Sequence, residues 1–174
     1  MTDTGSPDQG RSSTVFVVHG RNETARAAMF GFLRAIGLWP VEWSEAVAMT
    51  GEGSPYVGQV LDAALRRAQA IVVLFTPDET AYLRADYASD VDDPDIRPLG
   101  QARPNVLFEA GMAMGRSPER TVLVELGRLR PFSDIAGRHV LKMDNEPQSR
   151  MQLAQRLQAA GCDVNTAGGA VSGG

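Results

Sequence analysis

Glu109 stands in the stretch ARPNVLFEAGMAMG, residues 102–115, among small and apolar side chains. A carboxylate beside that much hydrocarbon is costly unless a cation pairs with it or a reaction uses it. Arg103 and Arg116 are the pairing candidates in sequence. A second interruption of apolar sequence comes at the end of TVFVVHG (14–20), where HGRN places His19, Gly20, Arg21 and Asn22 in succession. Backbone N–H groups leading into a helix attract anions, and Arg21 adds a cation to them. His19 is a candidate general base with no partner in sequence, Gly20 supplies a permissive turn, and Asn22 reads as a helix cap. Trp43 and Ser44 close a further apolar segment, and the Trp43 ring offers either a stacking surface or ordinary packing. Asp78 and Tyr87, after the run AIVVLF (70–75), are candidate pocket residues.

Other suggestive stretches fail their tests. TGEGS (50–54) lacks the Lys-Ser/Thr ending of a P-loop and reads as a flexible loop that can gate a site. SDVDDPD (89–95) lacks the central Gly and closing Glu of an EF-hand and reads as solvated loop. Cys162 is the single cysteine, which excludes an internal disulfide and a Cys-rich zinc site. Met112 and Met114 read as packing residues.

The elements that must position these groups alternate. TVFVV is a β-branched run suited to a buried parallel strand. Asn22 opens a helix through about Ile36, with Met29, Phe30, Leu33 and Ile36 on one face and Gly37 as its stop. WPVEW (39–43) reads as a second strand, at an edge because of Pro40, followed by a connection over 44–54 in which AVAMTGEGS (46–54) reads as mobile. Ser54-Pro55 reads as cap and first residue of a second helix, with Val57, Val60, Leu61, Ala64, Leu65 and Ala68 at helical spacing. AIVVLF is a further buried strand, and a long connection then runs from Thr76 to Arg103. Pro104 starts the helix of Glu109 and Gly115 closes it. RTVLVEL (120–126) and RHVLKM (138–143) read as strands and 146–160 as an amphipathic helix. This alternation predicts an α/β, flavodoxin-like sheet of about five parallel strands, order 2-1-3-4-5, with helices on both faces. Ligands in such sheets bind beyond the carboxyl ends of the strands, where the candidate residues cluster.

The chain has 174 residues, with 17 Lys+Arg against 21 Asp+Glu and a net charge of −4. The length suits one domain, and the charge argues against a nucleic-acid duplex as partner. No apolar run reaches the roughly 20 residues of a membrane span, and the N-terminus has no secretory apolar core. A cytoplasmic location is expected. Residues 1–13 and 165–174 read as disordered polar and Gly/Ser/Ala-rich segments flanking a domain over 14–164, the latter like a linker within a longer protein.

The segments VFVVHGRNE (15–23), AIVVLFTPDE (70–79), ARPNVLFEAGMAMG (102–115) and LAQRLQAAGCDV (153–164) together resemble the TIR-like domains of bacterial antiphage effectors, of the CBASS (STING-linked) and Pycsar kinds. The NVLFEAG block is the most specific of them. The resemblance implies a TIR fold and an NAD+ nucleosidase, releasing nicotinamide and linear or cyclic ADP-ribose, with NAD+ as substrate and no cofactor or metal. It implies Glu109 as the catalytic carboxylate. It also implies a homo-oligomer on activation and a sensor domain or partner responding to a cyclic nucleotide. Several catalytic TIR branches carry an aromatic one turn before the glutamate, where this chain has Asn105. Candidate substrate-binding residues are then His19, Gly20, Arg21 (for the pyrophosphate), Asn22, Trp43, Ser44, Asp78 and Asn105. Two other functions fit the same pattern: a non-catalytic TIR assembly module, and a nucleoside deoxyribosyltransferase-like enzyme with a glutamate at an anomeric carbon.

Overall fold

The computed structural model describes residues 10–131, 140–144 and 146–166. At its centre lies β1 (Thr14–Val18), buried at every position. It pairs in parallel with β2 (Trp39–Val41) on one side and β3 (Ala70–Phe75) on the other. Outside β3 follow β6 (Thr121–Leu126) and β7 (Leu141–Met143), also parallel. The order β2-β1-β3-β6-β7 is the expected flavodoxin-like arrangement. Pro40 sits on the edge strand, where its missing N–H costs no ladder bond.

Successive side chains of a strand face opposite sides, and two cores follow from that alternation. Val15, Val17, Val72, Leu74, Val122 and Val124 pack with helices α1 (Glu23–Ala35) and α5 (Pro147–Ala159). Phe16, Val18, Ile71, Val73, Phe75 and Leu123 pack on the other face, with α2 (Trp43–Thr50), α3 (Val57–Arg67) and α4 (Pro104–Arg116). In α4 the side against the sheet carries Val106, Ala110 and Ala113, at spacings of four and three. The two alanines let the helix backbone lie close to the strands. The Asn22 side chain accepts the Ala25 N–H at 3.0 Å and caps α1, and Gly37 leaves the helix with φ of 82°.

Several expectations change, among them the end of the Glu109 helix, which runs through Gly115 to Arg116. Trp43 and Ser44 do not end the second strand; they begin α2, and most of the connection expected to be mobile is helix. Its N-terminus is closed by Glu42 and Glu45 in a reciprocal capping box, a use of Glu as the cap that sequence rules built on Ser, Thr, Asp and Asn overlook. Gly51 then ends α2 in the left-handed region, at φ of 72°. The third helix starts at Val57 rather than at Pro55, because the Gln59 side chain takes the Tyr56 N–H at 2.7 Å.

The long connection after β3 contains an antiparallel hairpin, β4 (Glu79–Ala81) with β5 (Leu99–Gln101). It lies over the exits of β3 and β6. A Cβ on Gly100 would come 2.5 Å from the Pro77 side chain, and the Gly100 carbonyl accepts the Arg130 N–H at 2.7 Å. The acidic stretch within it builds its own turn, with the Asp93 carboxylate accepting the N–H groups of Ser89 and Asp95. At the chain's flanks, backbone bonds join Asp163 to Ser12 and Asn165 to Ile36, so pairing reaches slightly past 14–164 on both sides. The expected first strand residues of RHVLKM, and most of both terminal segments, lie outside the described residues.

Removing the α1 cap with Asn22→Ala is expected to cost about 1 kcal/mol. Thermal unfolding followed by circular dichroism should show a Tm lower by about 2–4 °C.

Candidate active site

A cavity of about 220 Å³ opens at the carboxyl ends of the central strands. Its floor is Val17 and Val18 of β1, and its near wall is His19 and Gly20, which leave that strand. Trp43, the first residue of α2, forms a second side. The N-terminal half of α4 closes the third with Arg103, Asn105, Val106 and Glu109. Asn105 and Glu109 are four apart and so share a stripe of that helix, flanking the buried Val106–Ala110–Ala113 side.

Glu109 is half-buried, and among the described residues it makes no hydrogen bond or ion pair. Both cations available in sequence to neutralise it are engaged elsewhere. Arg103 Nε lies 3.2 Å from Glu79 Oε1 on the hairpin, and Arg116 Nε lies 2.7 Å from Asp62 Oδ1 on α3. Burial alone therefore acts on the carboxyl, and it pushes the pKa up from 4.5 to about 7. The site thus holds a carboxylate that lacks both full hydration and a counter-ion, beside space for a ligand.

The neighbours of Glu109 are held in place by their own contacts. His19 Nδ1 lies 2.9 Å from the Gly20 carbonyl oxygen, which can only accept, so Nδ1 carries the hydrogen and the neutral ring keeps Nε2 as an acceptor. The same ring meets Phe30 edge-on at 6.2 Å. Trp43 leans on Phe16 of β1, with centroids 6.2 Å apart. The start of its helix is tied to α1 by an ion pair between Glu42 and Arg26, and the Arg26 guanidinium also lies 5.1 Å from the centre of the Phe30 ring.

Five of the sequence candidates, His19, Gly20, Trp43, Asn105 and Glu109, share this cavity. The other four lie outside its lining. Arg21 and Ser44 are exposed, and Asn22 is occupied as the cap of α1. Asp78 works from behind the wall: its carboxylate accepts the Arg21 N–H at 2.6 Å and the buried Thr76 hydroxyl at 2.6 Å. It thereby fills the backbone anion position that HGRN offered in sequence, using the protein's own carboxylate. Gly20 is required there, because a Cβ at that position would run into the Asp78 carboxylate. Tyr87 is exposed on the connection and stands under Arg84. Arg103 is the lining residue that the sequence reading treated only as a counter-ion. Its position immediately before the Pro104 helix start, two residues from Asn105 and six from Glu109, was the available signal. Among the described residues no cluster of His, Cys, Asp and Glu is placed to hold a metal ion, and no helix is long and apolar enough to cross a membrane.

Two measurements follow from this geometry. Asp78→Ala leaves the buried Thr76 hydroxyl and the Arg21 N–H without their acceptor, which should cost about 1–3 kcal/mol. Amide exchange at Arg21 should accelerate well beyond that of the α1 interior. For Glu109 the folded state holds its proton more tightly than the unfolded chain. The group's contribution to stability is therefore complete below pH 4.5 and is lost as pH rises through about 7. Glu109→Gln should accordingly stabilise the chain at about pH 8, by at most about 3 kcal/mol, with little gain near pH 4. Urea unfolding at the two pH values reads this difference.

Comparison with known proteins agrees with this architecture. The chain is similar to the uncharacterized protein YuaY of Escherichia coli (strain K12), with 28% identity over 151 residues, 86% of this chain and 46% of YuaY. The chain therefore spans about half the length of that curated relative. A family profile described as CAP12/Pycsar effector protein, TIR domain, matches residues 14–145, which include every strand of the central sheet and the helix of Glu109. A five-stranded parallel sheet in TIR order, with the family profile spanning it, makes this chain a member of the CAP12/Pycsar effector TIR-domain family of antiphage proteins.

Proposed function

We propose that this domain is an NAD+ glycohydrolase, cleaving the bond between nicotinamide and ribose, with Glu109 as its catalytic residue. The observation that carries the reading is the unpaired, desolvated Glu109 carboxylate on the wall of the cavity. Nicotinamide leaves NAD+ as a neutral molecule, so the reaction needs no strong general acid. It needs the ribose held in place and positive charge stabilised at its anomeric carbon as the C–N bond lengthens. A carboxylate against the ribose hydroxyls does both, and it acts strongly where water is scarce and no arginine cancels it. The electron pair of the broken bond leaves with nicotinamide. A water oxygen then bonds the anomeric carbon and loses its proton to give ADP-ribose; attack by the adenine ring instead would close a cyclic product. Trp43 offers a face for the departing ring, and His19, in the same lining, an acceptor nitrogen.

Family membership supports a role as the effector part of an antiphage system, and depletion of NAD+ is the outcome proposed for it. We further propose that a sensor, in the same protein or a partner, responds to a cyclic nucleotide and brings copies of this domain together. Holding the exposed segment Gly51–Ser54 in one arrangement costs order, and a docked copy would supply the stabilisation.

Nicotinamide release from NAD+, followed by chromatography, tests the reaction, with a deoxynucleoside offered in parallel as the substrate of a transferase. Wild-type chain should release nicotinamide and leave the deoxynucleoside intact. Glu109→Gln should lower kcat by at least a hundredfold while the fold persists, since the shape is kept and the charge is lost. Because the ionised form acts, kcat/KM should rise with pH and level off above about 7. A variant with wild-type turnover would overturn the assignment of Glu109.

A further inference from the structure

The cavity is smaller than the roughly 300–1,000 Å³ of ordinary small-molecule pockets. At about 220 Å³ it takes one end of a dinucleotide, so the remainder must lie across its mouth. Arg103 stands at that boundary. Among the described residues it is the one arginine or lysine of the lining, and its side chain is 31% exposed. Of its three donor nitrogens only Nε is engaged, by Glu79 at 3.2 Å, and among the described residues neither Nη group has an acceptor. Of the other arginines near the carboxyl ends of the strands, Arg26 is committed to Glu23 and Glu42 and Arg130 to Asp95, while Arg21 and Arg128 lie outside the lining.

We propose that Arg103 is the anion-reading residue of this site, presenting its free Nη edge to a diphosphate while Glu79 steadies the guanidinium through Nε. The assignment of the anion as the diphosphate of NAD+ rests on the hydrolase reading above. A planar guanidinium pairs with two phosphate oxygens at once, which fixes the orientation of the ligand as well as its affinity. Glu79 belongs to the hairpin strand β4 and the guanidinium to the residue before α4, so the pair holds the donor fork between two rigid elements. The pair is exposed enough to contribute little to stability by itself. Its negative charge opposes an incoming anion, and so the two partners have opposite effects on binding.

That opposition supplies the test. Titration calorimetry of the whole chain is made with ADP-ribose, which carries the diphosphate, and with nicotinamide riboside, which carries no phosphate. Arg103→Ala should weaken ADP-ribose roughly ten- to hundredfold and leave nicotinamide riboside within about twofold. Arg103→Lys should recover part of the loss, since the charge remains and the fork does not. Glu79→Gln should tighten ADP-ribose. Equal losses for both ligands in Arg103→Ala, weakening in Glu79→Gln, or no ADP-ribose binding by the wild-type chain at millimolar concentration would each overturn the assignment. If the expected binding pattern is found while NAD+ releases no nicotinamide, the hydrolase reading falls and the anion site stands. If NAD+ is cleaved while ADP-ribose binding ignores Arg103, only the anion site falls.

Discussion

A carboxylate kept against hydrocarbon without a counter-ion is the constraint from which the rest of this site follows. Left free, Glu109 would turn to water or take a guanidinium from its own helix. Neither happens, because α4 is pinned to the sheet through Val106, Ala110 and Ala113 while Arg103 and Arg116 are drawn away to Glu79 and Asp62. The charge stays uncancelled, and its raised pKa records the cost of keeping it so. Under the proposed reaction that cost is returned in the transition state, when positive charge develops beside the carboxylate and the surroundings need not rearrange.

The remaining walls are set by contacts that cross between elements. Asp78, at the exit of β3, clamps the turn leaving β1 and brings His19 and Gly20 to the cavity. Arg26 on α1 holds Glu42 at the start of α2, and Trp43 follows directly. The hairpin braces the exits of β3 and β6 and presents Glu79 to Arg103. Each joins two strands' ends or two helices' ends, so the cavity exists only where the parallel sheet delivers all these termini to one side. This is the physical content of the rule that α/β sheets bind ligands at their carboxyl edge.

The sequence alone determined the sheet, its strand order and the helix that carries Glu109. These depend on local patterns: β-branched apolar runs for β1 and β3, helical spacing from Met29 to Ile36, the Asn22 cap, and Pro104 at a helix start. Glu109 was legible for a related reason, since a charge inside an apolar block contradicts the pattern around it. Tertiary structure decided the rest. Whether Glu109 was neutralised depended on Asp62 and Glu79, which lie 47 and 30 residues from it in the chain and capture its candidate partners. Asp78 reaches Arg21 across 57 residues, and nothing in either segment announces the bond. The helix at 43–50 was hidden by a cap made of glutamates, and the hairpin by strands only three residues long. Periodicity reports which face of an element is buried; which side chains meet is set by the packing of elements distant in sequence, and there the site's electrostatics were decided.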